Sequence, residues 1–237
     1  SAVKVHTMMD LKGSIPCFLR ITGGSVHDVN FLDELLIEPG AFYIMDRGFI
    51  DFARLFNFTK NMAFFVTRAK SNLDYARISY RMVDRTTGLR SDQTITLQGP
   101  HSSQDYPLPL RRISYYDADT NKRLVFLTNN FVLDALTIAK LYKCRWAIET
   151  SYRVLEKFRI ITTSKNIVVR YFLFLTVILL YNIWKFYNLL IETKITFSTF
   201  LHSVFLSQLS IEHIEVSKKI LAPLQELELD DSLSKIF

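Results

Sequence analysis

The most informative stretch of the chain is Tyr142-Lys143-Cys144-Arg145-Trp146-Ala147-Ile148-Glu149. If it is helical, at about 100° per residue, its tyrosine, arginine and glutamate share one narrow stripe. A neighbouring apolar stripe would face a core and comprises Ile138, Leu141, Ile148, Tyr152 and Leu155. A carboxylate beside an arginine at the edge of a buried face can hold a metal ion, while nearby cations hold a phosphate.

The composition favours a folded, cytosolic protein with a polyanionic partner. The chain has 237 residues, is 49% apolar and carries a net charge of +6, with a sequence pI of about 9.2. This balance favours nucleic acid, although many basic proteins bind none. The two cysteines, Cys17 and Cys144, show neither metal-ligand spacing nor a disulfide framework, which favours a reducing compartment.

Neither a signal peptide nor a membrane span is expected. The first residues are amphipathic and include His6 and Asp10. The chain starts without methionine, which suggests a fragment or, equally, a processed or trimmed chain. The longest apolar run, residues 171–184, has 14 residues and is interrupted by Thr176 and Asn182. Because a bilayer span needs roughly 20 residues, this run predicts a buried helix.

Strand-like and helix-like patterns alternate in the first part of the chain. Residues 3–11 and 15–21 predict a hairpin, and Asp28 or Asn30 can cap a short helix reaching about residue 36. Residues 41–45 (AFYIM) form a continuous apolar run, typical of a strand buried on both faces, and end at Asp46. A helix and a second buried strand, residues 62–66, follow.

The pattern then changes twice. Residues 71–130 predict a β-rich insertion, with alternating segments at 94–97, 111–116 and 123–128. Asp134 can cap one long helix that carries the opening stretch and ends near Phe158. Residues 166–237 read as mostly helical.

Each candidate acid has an ordinary alternative. Asp46 emerges where functional groups gather in open α/β sheets, at the carboxyl end of a strand, and Gly48 allows close backbone approach. Alternatively, Asp46 caps the next helix. Glu149 could be a metal ligand or could form an exposed pair with Arg145, four residues earlier, worth about 0.3–0.5 kcal/mol.

Basic residues surround Glu149. Between residues 140 and 170 there are eight of them, against only Glu149 and Glu156 as acids. Cations with interleaved aromatic residues suit a DNA backbone, although a solvated basic helix face has the same composition. The eight are Lys140, Lys143, Arg145, Arg153, Lys157, Arg159, Lys165 and Arg170.

A set of ordered motifs carries a family resemblance over residues 2 to about 190. The motifs are Ala2-Val3-Lys4-Val5-His6, Val26-His27-Asp28, Phe42-Tyr43-Ile44-Met45-Asp46-Arg47-Gly48-Phe49, Phe64-Phe65-Val66-Thr67-Arg68, Leu124-Val125-Phe126-Leu127-Thr128-Asn129-Asn130 and Tyr142-x-x-Arg145-x-x-x-Glu149-x-x-Tyr152-Arg153. In this order they resemble insertion-sequence transposases with a ribonuclease H-like DDE domain, in the branch marked by a Tyr-Arg-Glu-Lys signature.

The resemblance implies a site. Asp46 corresponds to the second catalytic acid and Glu149 to the third, and acids of this kind hold two divalent metal ions, Mg²⁺ or Mn²⁺, for phosphoryl transfer on DNA. Tyr142 and Arg145 match positions that grip DNA near the scissile phosphate, and Arg153 and Lys157 are further DNA-binding candidates. Arginine suits phosphate because its fork binds in a bidentate manner.

The sequence departs from the family pattern at two points. The family's first catalytic aspartate lies on a strand upstream of Lys4-Val5-His6, and neither Asp10 nor Asp28 occupies that position. We therefore expect a truncated chain with weakened metal affinity and an unpaired strand edge inside the sheet. The signature lysine, seven residues after Glu149, is replaced by Glu156. Lys157 is rotated by about 100° on a helix and would not substitute cleanly, so either the copy is decaying or Arg153 covers the role.

The resulting expectation is an α/β, ribonuclease H-like mixed sheet with flanking helices, a β-rich insertion and a helical C-terminal region. The predicted parts are residues 1–70 and 131–190 for the catalytic core, 71–130 for the insertion and 191–237 for a helical extension. The resemblance implies cut-and-paste DNA transposition by a cytoplasmic, nucleoid-associated prokaryotic homodimer that binds double-stranded DNA at transposon ends and targets. The alternative is an inactive DNA-binding remnant, so whether the chain is itself an enzyme stays open.

Overall fold

The structure, a computed structural model, describes residues 3–158, 160–192 and 194–209. The chain divides into two compact units. Unit 1 contains Ser1–Thr7 and Leu19–Ala147, and unit 2 contains Met8–Phe18 and Ile148–Phe237.

Most strands precede residue 130, and the longer helices follow it. The strands are β1 (Val3–Asp10), β2 (Ile15–Gly23), β3 (Phe42–Met45), β4 (Phe64–Arg68), β5 (Tyr75–Arg81), β6 (Leu89–Leu97), β7 (Leu110–Asp117) and β8 (Lys122–Thr128). The helices are α1 (Phe52–Lys60), α2 (Ser102–Asp105), α3 (Ala135–Lys143), α4 (Trp146–Lys157), α5 (Ile167–Leu190) and α6 (Phe197–Leu209). Short 3₁₀ helices cover Asp28–Glu34, Arg47–Phe49 and Arg85–Thr87.

The strands form a separate hairpin and one mixed sheet. β1 and β2 pair with each other, and the six-stranded sheet has the order β3-β4-β8-β7-β6-β5. β3 and β4 are parallel, with Met45 opposite Thr67, whereas β4 pairs with β8 in antiparallel fashion. The α/β class, the mixed sheet and the helical C-terminal region are therefore confirmed, and they are consistent with a ribonuclease H-like transposase fold.

Apolar side chains fill both faces of the six-stranded sheet because its central strands alternate between them. On β4, Phe65 packs into the cluster under α1, whereas its neighbour Val66 packs into the cluster under α3. Between α1, β4 and the end of β8, the Asn129 amide donates to the Ala63 carbonyl (2.8 Å) and accepts from the Phe65 amide (3.0 Å). These contacts tie the end of β8 to the beginning of β4.

The long helix predicted from Asp134 to Phe158 is wrong. It breaks after Lys143, where the amides of Cys144 and Arg145 donate to carbonyls three residues earlier, and α4 begins at Trp146. Asp134 occupies the position before α3 but its side chain makes no capping bond. The short helix after Asp28 is a 3₁₀ helix, and neither candidate caps it, since His27 precedes it without a capping bond.

The apolar helix near the C-terminus is longer and more exposed than predicted. α5 has 24 residues and is the one described helix long and apolar enough to cross a membrane. Val177, Ile178 and Tyr181 are buried on one side, whereas Phe172 is 67% exposed. The expected buried helix therefore holds for one face only. The predicted C-terminal helices include α6, and residues 210–237 lie outside the described part of the chain.

The β-rich segment was only partly predicted. β6, β7 and β8 contain the expected segments 94–97, 111–116 and 123–128, but β5 was missed. All four strands continue the sheet begun by β3 and β4, because β8 pairs directly with β4. The domain boundaries inferred from sequence stay a prediction.

Candidate functional site

Asp46 directly follows β3, at the carboxyl end of the parallel pair β3–β4. Its side chain makes no capping bond to the 3₁₀ helix Arg47–Phe49, and it is 44% exposed. The cap of α1 is instead Asp51, whose carboxylate accepts from the Arg54 amide at 3.0 Å. Helix capping therefore does not explain Asp46, whose carboxylate faces partly into solvent.

Arg145 lies beside Asp46. A guanidinium nitrogen, Nη1, is 3.7 Å from the Asp46 Oδ2 atom, and the arginine side chain is 18% exposed. The guanidinium carbon also lies 5.9 Å from the centre of the Tyr142 ring and 5.6 Å from that of Trp146. Cation–π contacts and the carboxylate together hold the arginine in the turn between α3 and α4.

Tyr142 is buried, with 5% of its surface exposed, and packs on Phe126 at a ring distance of 4.9 Å. Burial raises the pKa of its hydroxyl; the Asp46 carboxylate acts in the same direction, while Arg145 and Arg68 oppose it. These charges share one neighbourhood around the tyrosine. Its burial places the ring behind Arg145, away from direct contact with a macromolecule.

Arg68 is the site residue that sequence reasoning did not single out. It is the last residue of β4, so it ends the strand parallel to the one that ends before Asp46. The available signal was its place at the end of a buried apolar strand, close to the signal that pointed to Asp46. Arg68 and Arg145 bring two positive charges to the surroundings of Tyr142, where Asp46 supplies a negative one. Positive charge at the carboxyl ends of β3 and β4 suits the binding of an anion.

Glu149 lies on α4, in unit 2, and is half-buried. At helical spacing Arg153 and Lys157 follow it at i+4 and i+8, so the three side chains share one face. Both basic residues are exposed. Glu156 is exposed too and lies close to the same face, seven positions after Glu149. This face therefore alternates acids and bases, and Arg153 lies one turn from Glu149.

The other acids considered from the sequence serve local structure. Asp10 accepts from the amides of Gly13 (2.9 Å) and Lys12 (3.4 Å), which confirms it as a turn residue. Asp28 lies 3.1 Å from the Lys4 ammonium. Gly48, two residues after Asp46, is exposed, and a Cβ added there would meet nothing within 4 Å. Packing therefore does not require this glycine.

Comparison with known proteins identifies the family. The family model for the transposase DDE domain matches residues 1–183, most of the chain. The chain belongs to the transposase DDE domain family. Among its relatives are "Putative transposase y4zB" of Sinorhizobium fredii, 33% identical, and "Probable transposase for insertion sequence element IS5377" of Geobacillus stearothermophilus, 25% identical.

The matches cover only part of those relatives. The first aligns over 65% of this chain and 44% of its own length, and the second over 67% and 41%. This DDE domain therefore spans less than half the length of the curated relatives it matches. The family model and the names of these relatives support an insertion-sequence transposase.

Transposase DDE domains generally depend on divalent metal ions, so the acids can be tested for fit. Asp46 fits as one ligand because it offers hard carboxylate oxygens, is partly exposed and is not used as a helix cap. Within residues 3–158, 160–192 and 194–209, no group of three or more His, Cys, Asp or Glu is placed to hold a metal ion. The described residues thus supply a partial ligand set.

Proposed function

We propose that this chain is catalytic-core sequence of a transposase of the Tyr-Arg-Glu-Lys branch, which binds double-stranded DNA and cleaves and transfers its strands in cut-and-paste transposition. The observation that carries the proposal is the placement of Asp46 at the carboxyl end of β3, 3.7 Å from Arg145. Family membership supplies the substrate class.

Each residue of the site has a role in this proposal. Asp46 and Glu149 hold Mg²⁺ or Mn²⁺, which when bound supplies Lewis-acid activation for phosphoryl transfer. Arg145 binds a phosphate of the DNA through its fork, next to the reacting centre. Tyr142 contributes to DNA binding indirectly, because its buried ring positions the Arg145 guanidinium. Arg153 and Lys157 bind backbone phosphates from the exposed face of α4.

Among the described residues β3 pairs only with β4, although its sequence is apolar like that of a central strand. In the proposal, a homodimer in the cytoplasm, associated with the nucleoid, holds two transposon ends and a target.

A nicking assay tests the site assignment. Protein encoded in full by the gene is incubated with DNA flanking that gene, with Mg²⁺ or Mn²⁺, and nicked product is measured. Asp46→Asn and Glu149→Gln are expected to lower nicking at least about 100-fold, because even partners behind metal ligands contribute 10–100-fold. The exposed Lys60, on α1, provides a matched control, and Lys60→Ala should leave nicking unchanged. Undiminished nicking by both acid variants would refute the assignment.

The alternative function is an inactive DNA-binding remnant, which specific features of α4 favour. Glu156 replaces the signature lysine, and the described acids form no complete metal site. A remnant would bind the transposon ends without nicking them under either metal ion. Arg153→Ala would then lower the salt dependence of binding by about 0.9 in slope per lost phosphate contact, while no product forms in any variant.

A further inference from the structure

β5 is the outermost strand of the six-stranded sheet, at the edge opposite β3. Six of its seven residues are exposed, and Tyr75 is half-buried. The strand carries Arg77 and Arg81 and no carboxylate. A sheet edge of this length usually needs protection, and here positive charge provides it.

The edge carries three guanidinium–ring pairs, which we name the arginine–aromatic edge. They are Arg112 over Tyr75 (4.8 Å from guanidinium carbon to ring centre), Arg77 over Tyr80 (5.8 Å) and Arg81 over Phe131 (5.7 Å). Each distance lies within the range of a cation–π contact. The same chemistry therefore recurs along one border of the sheet.

A β-bulge brings the two members of one of these pairs, Arg77 and Tyr80, to one face. The register shifts between Arg77 and Ser79, so Arg77 is opposite Ile95 while Tyr80 is opposite Gln93. Positions 95 and 93 share a face, which puts Arg77 and Tyr80 together although they are three residues apart. Without the bulge this spacing would place them on opposite faces. The bulge thus assembles the surface.

The charges and exposure of this face suit a polyanion with flat, stackable groups. Tyr80 is 67% exposed, so its ring has surface to offer beyond its contact with Arg77. Among the described residues, Arg77 has no carboxylate at ion-pair distance. Arg81 differs because it shares the Asp92 carboxylate at 3.6 Å, with the buried Arg111. Arg77 and Tyr80 are therefore the two residues most available to a ligand.

We propose that the arginine–aromatic edge binds single-stranded DNA. Cations that follow a backbone, alternating with rings on which bases stack, form the usual surface for unpaired strands. In a duplex the base faces are stacked internally, so exposed Tyr80 would have no base to contact. Seven residues of strand extend over about 23 Å, enough for several nucleotides. That the nucleic acid is DNA rests on the proposed function.

Fluorescence anisotropy with the full chain and a labelled oligonucleotide of about 12 nucleotides tests the proposal, with the matching duplex as competitor. Tyr80→Ala and Arg77→Ala are each expected to weaken single-strand binding about 10-fold. Tyr80→Phe keeps the ring and should bind as the unaltered chain does. Lys60→Ala removes a cation that lies over Phe56 on α1 (5.1 Å) and should also leave binding unchanged.

The outcomes separate this proposal from the proposed function. Unchanged affinity in both alanine variants, with unaltered urea unfolding, overturns the arginine–aromatic edge while leaving nicking at Asp46 untouched. Equal losses of affinity for duplex and single-stranded DNA would also overturn it, because the surface would then bind DNA through charge alone. A change of oligomeric state in Tyr80→Ala without a change in DNA affinity would assign the edge to a second copy instead.

Discussion

Removing the carboxylate of Asp92 should destabilise unit 1 more than any change at the exposed charges. Asp92 and Arg111 are paired inside the sheet, with the two side chains 4% and 3% exposed. Two bonds join them, Nε to Oδ1 at 2.9 Å and Nη2 to Oδ2 at 2.7 Å. The same guanidinium donates to the carbonyls of Asn130 and Leu133, just before α3.

The magnitude follows from this geometry. Asp92→Ala leaves the Arg111 charge buried without its partner, which typically costs about 3–5 kcal/mol of unfolding free energy. Release of Arg81 adds at most about 0.5 kcal/mol, because that arginine is 43% exposed. For a domain stabilised by about 5–15 kcal/mol, this is a large fraction.

The double variant Asp92→Leu with Arg111→Met distinguishes a buried pair from a merely crowded site. It removes both charges, so most of the loss should be recovered. Recovery should stop about 1–3 kcal/mol short, because the Asn130 and Leu133 carbonyls lose their donor.

Urea unfolding followed by circular dichroism measures these differences as shifts of midpoint at unchanged slope. A loss below about 1 kcal/mol for Asp92→Ala would refute the reasoning, since it is the size expected of an exposed pair. The same result would mean that water reaches Arg111 and that α3 is held by other contacts.

Three further predictions use the same assay. Asp51→Ala removes the cap of α1 and should lower the free energy of unfolding by about 1 kcal/mol. Asp46→Asn should change it by no more than about 0.5 kcal/mol, because Asp46 caps no helix. Equal losses in the two variants would contradict this. Gly88→Ala should lower the free energy of unfolding by more than about 1 kcal/mol, because φ at Gly88 is +91° and the new Cβ would lie 2.7 Å from the Tyr116 carbonyl oxygen. An unchanged free energy of unfolding would mean that the turn rearranges. The pKa of Asp117 is lowered by its bond to Lys143. Its contribution to the free energy of unfolding should therefore be complete above about pH 4 and lost as pH falls through the lower folded-state pKa. In unfolding measured from pH 7 to 3, Asp117→Asn should reduce this loss of stability, and an unchanged pH profile would exclude Asp117 as its source.

Local sequence patterns predicted the elements that bury a face. The run at residues 41–45 became β3 and placed Asp46 at its end, because a strand buried on both sides needs apolar residues throughout. β5 was missed because nearly all its side chains are exposed, so its sequence does not show the alternation of apolar and polar residues that marks a strand with one buried face.

The helix break at Cys144 could not be predicted from propensity. No glycine or proline marks it, and every residue of the stretch tolerates a helix. The contact of Arg145 with Asp46 accompanies the break, together with the neighbouring rings of Tyr142 and Trp146. The contact with Asp46 joins residues 99 positions apart (145 − 46), and one sequence gives no register for it. The pairing of Asp92 with Arg111 was unpredictable for the same reason.

The pairing of β4 with β8 has a consequence for the order of folding. Val66 lies opposite Thr128, about 60 residues later in the chain, whereas β5 to β8 pair with sequence neighbours. Closing the long loop costs entropy before its contacts form, so we expect the local meander to form first. During synthesis β4 would then have no antiparallel partner until β8 has left the ribosome. We therefore expect the edge that carries Asp46 to be the last part of this sheet to form.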